Sequence, residues 1–296
     1  IFDPVLEGLP KIAAIDIGNS SKGVINLLRE ISPPDMRDRF MHVEFELNER
    51  FGINVMDTRV GCQKPTSAER GFLTNFLTLV LTPVGSTEPI QDATQIATML
   101  IDELYTVCAE DNPTKYIDGQ DKLTTAWLQN QRDFEVNKST TWWQVVYFAM
   151  SKKAYDVAGS AQRFAVPSLK MMPSRLAMSD SLKTLYGQDN PILVDAKRLI
   201  LGFIQQYPSL CKPSNFNFQE TDVCIIDLNK VTQDTGPEGT RRTTIAYMVS
   251  RYLLGKDFLT NKDILNEMPP VAQEFYRSKV AQLEVVRKYL IYDEFH

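Results

Sequence analysis

The sequence predicts an α/β protein with a mostly parallel sheet interrupted by a large helical block. Three short apolar runs each end on an acid: Ala13–Ile15 into Asp16, Cys224–Ile226 into Asp227, and Tyr289–Tyr292 into Asp293 and Glu294. Wholly apolar runs of this length suit strands covered on both faces, as in parallel sheets. Helical sequence follows the first two runs and precedes the third, and it is long enough for the crossovers that parallel neighbours need.

Lys11–Ile15 reads as a buried strand, and Gly18, Asn19, Ser20 and Ser21 follow Asp16 as a polar turn. Lys22–Glu30 then reads as helix, stopped by Pro33 and Pro34. Phe40–Leu47 alternates apolar and polar residues like a half-exposed strand, with Ile53–Met56 as a possible further strand, and together they suggest a sheet edge. Thr66 and Glu69 have capping-box spacing ahead of a helix from Ala68 to about Leu81. Ile90–Glu110, Thr140–Ala165 and Pro191–Gln206 carry apolar residues three and four apart, the signature of amphipathic helices. Strand character returns at Asp222–Ile226, followed by a helix from about Glu238 to Leu254 with Gly255 as its expected cap. Pro269 and Pro270 open a helix to about Val286. The expected division is residues 1–65 and 209–296 as two parts of one core, with 66–208 as a helical insertion.

Among the 296 residues, 43% are hydrophobic and 23% charged, an ordinary globular balance, and no apolar run approaches the roughly 18 residues that span a bilayer. A net charge of −5 without a basic stripe argues against a general nucleic-acid surface. The four cysteines (62, 108, 211 and 224) are widely spaced and there are only two histidines, so buried free thiols are expected rather than a zinc site. His42, Trp142 and Trp143 read as packed residues.

In an open α/β sheet, ligands bind beyond the carboxyl ends of the strands, where the acids cluster. Asp293–Glu294 is the sharpest motif, four apolar or aromatic residues and then two adjacent acids, which matches a Walker B pattern. In that chemistry the first acid, Asp293, holds magnesium through water, and the second, Glu294, orients and deprotonates the water that attacks a γ-phosphate. Asp16, with small residues after it, is a candidate cofactor-binding residue or else closes a plain strand-to-helix turn. Arg241 and Arg242 are candidate phosphate-binding residues, in the manner of an arginine finger, or else solvated arginines. The glycine-rich G-x-x-x-x-G-K-[ST] loop of P-loop enzymes is absent from the sequence. The chain opens on Ile1 and closes just after the two acids, so it is expected to be a piece of a longer protein whose loop lies upstream.

The stretches KIAAIDIGNSSKG, FGINVMDTRVGCQKPTSAERGFLTNFL, VCIIDLNKVT with GPEGTRRTTIAYMVSRYLLG, and KYLIYDEFH resemble the ATPases of type IV secretion and conjugation systems, the type IVB (Dot/Icm) branch in particular. The resemblance implies a RecA-like P-loop ATPase core with a helical insertion, using ATP and Mg2+. It further implies self-assembly into rings or hexamers, and a cytoplasmic place beneath the inner membrane, held there by other secretion components. Hydrolysis would drive channel assembly or the movement of effector proteins, and this stretch alone would be inactive without its Walker A loop. Two alternatives stay open: a DNA-transfer ATPase of conjugation, and a scaffold subunit without catalysis.

Overall fold

The computed structural model describes residues 9–18, 20–48, 51–187, 189–215, 221–258 and 260–292. It is α/β, with four parallel strands and many helices. The chain folds as two compact units. One takes the chain up to Phe51, Asn215–Ile264 and the chain from Arg277, and the other takes Gly52–Ser214 and Leu265–Tyr276.

The first unit holds β1 (Lys11–Asp16), β2 (Phe40–Glu44), β3 (Val223–Asp227) and β4 (Lys288–Tyr292) in the order β2-β3-β1-β4, every pair parallel. All five residues of β3 are buried, as its unbroken apolar run predicts for an inner strand. Helix α1 (Ser20–Ile31) packs beside β2 and closes a core of Leu9, Ile25, Phe40, Val223 and Ile225. β4 differs from expectation: it pairs only with β1 among the described residues, and Tyr289 and Ile291 remain about half exposed despite the apolar run.

The longest helix, Gly236–Phe258, packs on β1 and β4 through a stripe that includes Ile245, Ala246, Val249 and Leu254. It runs past Gly255, which therefore lies inside the helix and does not cap it. At its other end Gly236 adopts φ +83°, and a Cβ on Gly239 would lie 2.2 Å from the Asp234 carbonyl oxygen, so only glycine allows the turn to fold back this closely. Near the helix's carboxyl end, Asp257 is buried between two lysines, its oxygens 2.8 Å from Lys11 Nζ and 2.8 Å from Lys279 Nζ. Lys11 also donates to the Thr221 carbonyl at 3.0 Å.

The second unit is helical, and its helix starts follow the sequence signals. Thr66 and Glu69 form the expected capping box ahead of the helix Ser67–Val80, and Asn190 caps Pro191–Gln206, where proline occupies the first turn. The Thr140–Ala165 stretch, expected as one helix, is two: Trp142–Ser151, with a Thr141–Gln144 capping box, and Tyr155–Gln162. The break falls at Lys153, which adopts φ +58°.

Ile53–Met56, a possible strand by sequence, is part of a buried loop. The loop is held by side chains instead of a ladder. Gln162 accepts from the Gly61 N–H at 2.7 Å and donates to the Thr58 carbonyl and hydroxyl and to the Arg59 carbonyl. Ile53 N–H donates to the Ser209 carbonyl at 2.9 Å, and Asn54 N–H to Ser214 Oγ at 2.9 Å. These bonds explain why the unit begins at Gly52 and ends at Ser214, wider than the 66–208 block drawn from sequence. Residues 265–276 also belong to it, since Ala272 faces Gly61 and Phe275 stacks near Tyr155. Gln162→Leu, which keeps the volume and removes the bonds, is expected to cost about 2–3 kcal/mol by stranding buried loop groups. Urea unfolding followed by circular dichroism measures this, and a loss below about 0.5 kcal/mol would show that the loop holds itself.

Candidate site at the carboxyl edge of the sheet

The strand register brings acids together. Glu44 pairs with Asp227, and Asp227 with Asp16, so the last residues of β2, β3 and β1 form one row across the sheet. Strand alternation puts this row on the face that carries Phe40, Val223 and Ile225, the face packed by α1. β4 ends at Tyr292 opposite Ile15, the residue before Asp16. Asp293 and Glu294 follow directly in sequence and lie outside the described residues.

Like charges in register on neighbouring strands repel, so each acid needs compensation or a reason to go without. Glu44 is compensated by Lys22 of α1 and by Lys230, each with its ammonium 2.8 Å away, and Lys230 also binds Glu46. Lys230 lies in the short helix Asn229–Thr232 directly after β3. Hydrogen bonds from Lys22 and then Lys230 pull the Glu44 carboxyl down to about 2. Bonds to Glu44 and Glu46 raise Lys230 in turn. Asp227, 7% exposed, accepts the Asn229 N–H at 2.8 Å, the local bond that aspartate makes two residues ahead of a turn.

Asp16 is different. It is 5% exposed, its Oδ2 is shielded and has no hydrogen-bond partner, and no ion pair reaches it among the described residues. Its carbonyl accepts the Leu228 N–H at 2.8 Å, which fixes the backbone while leaving the carboxylate unspent. Gly18 lies beside it, where a Cβ would sit at ordinary van der Waals distance, 3.4 Å, from Asp16 Oδ1. Near the row, His42 Nε2 and Ser21 Oγ are also shielded without partners. Burial lowers the His42 pKa; Asp227, Glu44 and Asp16 oppose the shift and Lys22 adds to it.

Arg241 and Arg242 occupy the opening turns of the long helix after β3, and Arg242 is ion-paired with Asp234. Among the described residues, no group of three or more histidine, cysteine, aspartate or glutamate side chains is arranged to hold a metal ion. All four cysteines are buried and outside disulfides, and burial pushes the Cys108 thiol up to about 11 and those of Cys211 and Cys224 up to about 12, which keeps these three as thiols near neutral pH. Trp142 and Trp143 are core residues. No described helix is long and apolar enough to cross a membrane.

Sequence reasoning singled out Asp16 and Asp227 but missed Glu44, Lys22 and Lys230. The alternation in Phe40–Leu47 put Glu44 on a strand, but only the register shows which acids it joins. Comparison of the chain with protein-family models, curated proteins and solved structures gave no match.

Proposed function

We propose that this chain forms part of the catalytic core of a RecA-like P-loop ATPase of the type IV secretion class, which uses ATP hydrolysis to drive assembly of, or substrate movement through, a type IVB channel. The observation that carries this proposal is the parallel sheet whose carboxyl edge gathers Asp16, Asp227 and Glu44, with β4 beside β1 and running directly into Asp293–Glu294. Ligands of open parallel sheets bind beyond this edge. Lys22 and Lys230 supply positive charge there.

The donor set fits a hydrated magnesium ion better than a directly ligated one. The only buried oxygen without a partner in the row belongs to Asp16, and a carboxylate oxygen accepts hydrogen bonds from metal-bound water. When bound, Mg2+ would neutralise charge developing on the transferred phosphoryl group. Within the chain, Asp293 would hold the ion through water and Glu294 would orient the attacking water and take its proton. Arg241 and Arg242 would meet phosphate oxygens, Arg242 by leaving Asp234. The assembly would be a ring of copies, held at the cytoplasmic face of the inner membrane by other secretion components, with protein effectors as its cargo.

Since the sequence has no G-x-x-x-x-G-K-[ST] loop, the proposal requires one elsewhere in the full-length gene product. The test is steady-state phosphate release from ATP by the purified full-length protein with and without Mg2+. Mg2+-dependent turnover is expected. A folded full-length protein that shows none, or that has no such loop, would overturn the assignment.

A further inference from the structure

We propose that the sheet face packed by α1 is completed by a second copy of this chain, the α1 helix of each copy lying over β1 and β4 of the other. The inference is independent of the ATPase assignment.

Parallel sheets are ordinarily covered on both faces. Here one face is half covered. The register sets Tyr289 and Ile291 of β4 level with Ile12 and Ala14 of β1, and those level with Val223 and Ile225 of β3, so all six side chains share the face on which α1 packs. α1 lies over β2 and β3: Arg29 Nε donates to the Phe40 carbonyl at 2.8 Å, Lys22 pairs with Glu44, and Ile25 packs with Phe40, Val223 and Ile225. Over the other two strands Ile12 and Ala14 are partly buried, and Tyr289 and Ile291 stay about half exposed. On the opposite face the helix Gly236–Phe258 covers the sheet, where Leu253 and Leu254 line a small cavity with Ala13 and Cys224.

The bare strip has the width of one helix. Two strands about 4.8 Å apart offer about 10 Å, which a single α-helix with its side chains fills. α1 carries the matching surface. Val24, Leu27 and Ile31 are 51%, 58% and 69% exposed, and their spacing of three and four residues makes them one stripe along the helix. The stripe lies on the flank away from Lys22 and Arg29, which turn toward β2, so it borders the bare strip.

A two-fold axis running along the strands within the helix layer sets α1 of each copy on the strip of the other and brings the two stripes into contact. One operation covers Val24, Leu27, Ile31, Tyr289 and Ile291 in both copies, which makes the contact self-complementary. These five uncharged side chains leave roughly 500 Å2 open per copy, so the pair buries about 1,000 Å2, enough for a specific interface. An unrelated partner would have to bring both an apolar helix for the strip and a cover for the α1 stripe, whereas a second copy brings both.

Leu27→Cys in the full-length protein tests the contact, with Val194→Cys as the control at an exposed position of the helical unit. Under copper–phenanthroline oxidation Leu27→Cys is expected to form a disulfide-linked dimer, and Val194→Cys to stay at the wild-type background. Adding Ile291→Glu to Leu27→Cys places a charge on the strip and is expected to cut the crosslinked fraction about tenfold, with the circular dichroism spectrum unchanged. Crosslinking that Ile291→Glu leaves intact, or that is equal at residue 194, overturns the contact. A residue-27 thiol that reacts freely with maleimide yet does not crosslink shows an open face, and one that resists both shows that another segment of the polypeptide covers it. Either result overturns the second copy.

Discussion

Replacing Asp257 with asparagine is expected to destabilise the sheet unit by about 3–5 kcal/mol, the usual cost of removing one member of a buried ion pair. The Asp257 side chain is 5% exposed and those of Lys11 and Lys279 13% each, so the three charges are held almost out of water. Two ammoniums share one carboxylate, and without it both lose this buried partner. The cluster joins the start of β1, the end of the helix Gly236–Phe258 and the helix Pro270–Val285, so its loss would be felt across the sheet unit. Lys279→Met is the control. It leaves the Lys11–Asp257 pair in place, so its cost is expected to stay below about 1.5 kcal/mol. If the two variants cost the same, packing rather than charge compensation explains the cluster.

The pH dependence follows from the same contacts. Burial alone would raise the Asp257 carboxyl, but Lys279 and Lys11 outweigh it and hold its pKa below the ordinary aspartate value. A carboxyl with a depressed folded-state pKa contributes stability above its unfolded value, near 3.9, and loses it as pH falls through the folded value. The stability gap between wild type and Asp257→Asn should therefore be flat from about pH 5 upward and close below about pH 4. Denaturant melts at several pH values measure it, and a gap that widened on acidification would contradict the assignment of charge.

What the sequence made legible was local. Apolar runs ending in acids marked β1, β3 and β4, the alternation of Phe40–Leu47 marked β2, and Thr66 with Glu69 and Pro191 marked helix starts through features confined to a few residues. What it hid was set by distant partners. The loop around Gly61 is buried because Gln162, far along the chain, reaches its backbone, and nothing in Ile53–Met56 announces that partner. The helix break at Lys153 has neither glycine nor proline to mark it. The candidate site shows the same division. Asp16 and Asp227 were visible as strand-end acids, whereas the row they form with Glu44 depends on a sheet order in which β3 lies between β2 and β1. The lysines that neutralise Glu44 come from helices following two different strands, an arrangement that only the packed sheet reveals.

Glu294→Gln in the full-length protein is expected to lower ATP turnover by about 10²–10⁴-fold, the usual contribution of a positioned general base, while leaving ATP affinity within a few-fold of wild type. Glutamine keeps the length and a hydrogen-bonding carbonyl, so it still orients a water molecule but does not take its proton. Single-turnover phosphate release alongside equilibrium binding of ATP separates the two effects. Lost binding with lost turnover would place residue 294 in holding the nucleotide, and unchanged turnover would move the base to another acid.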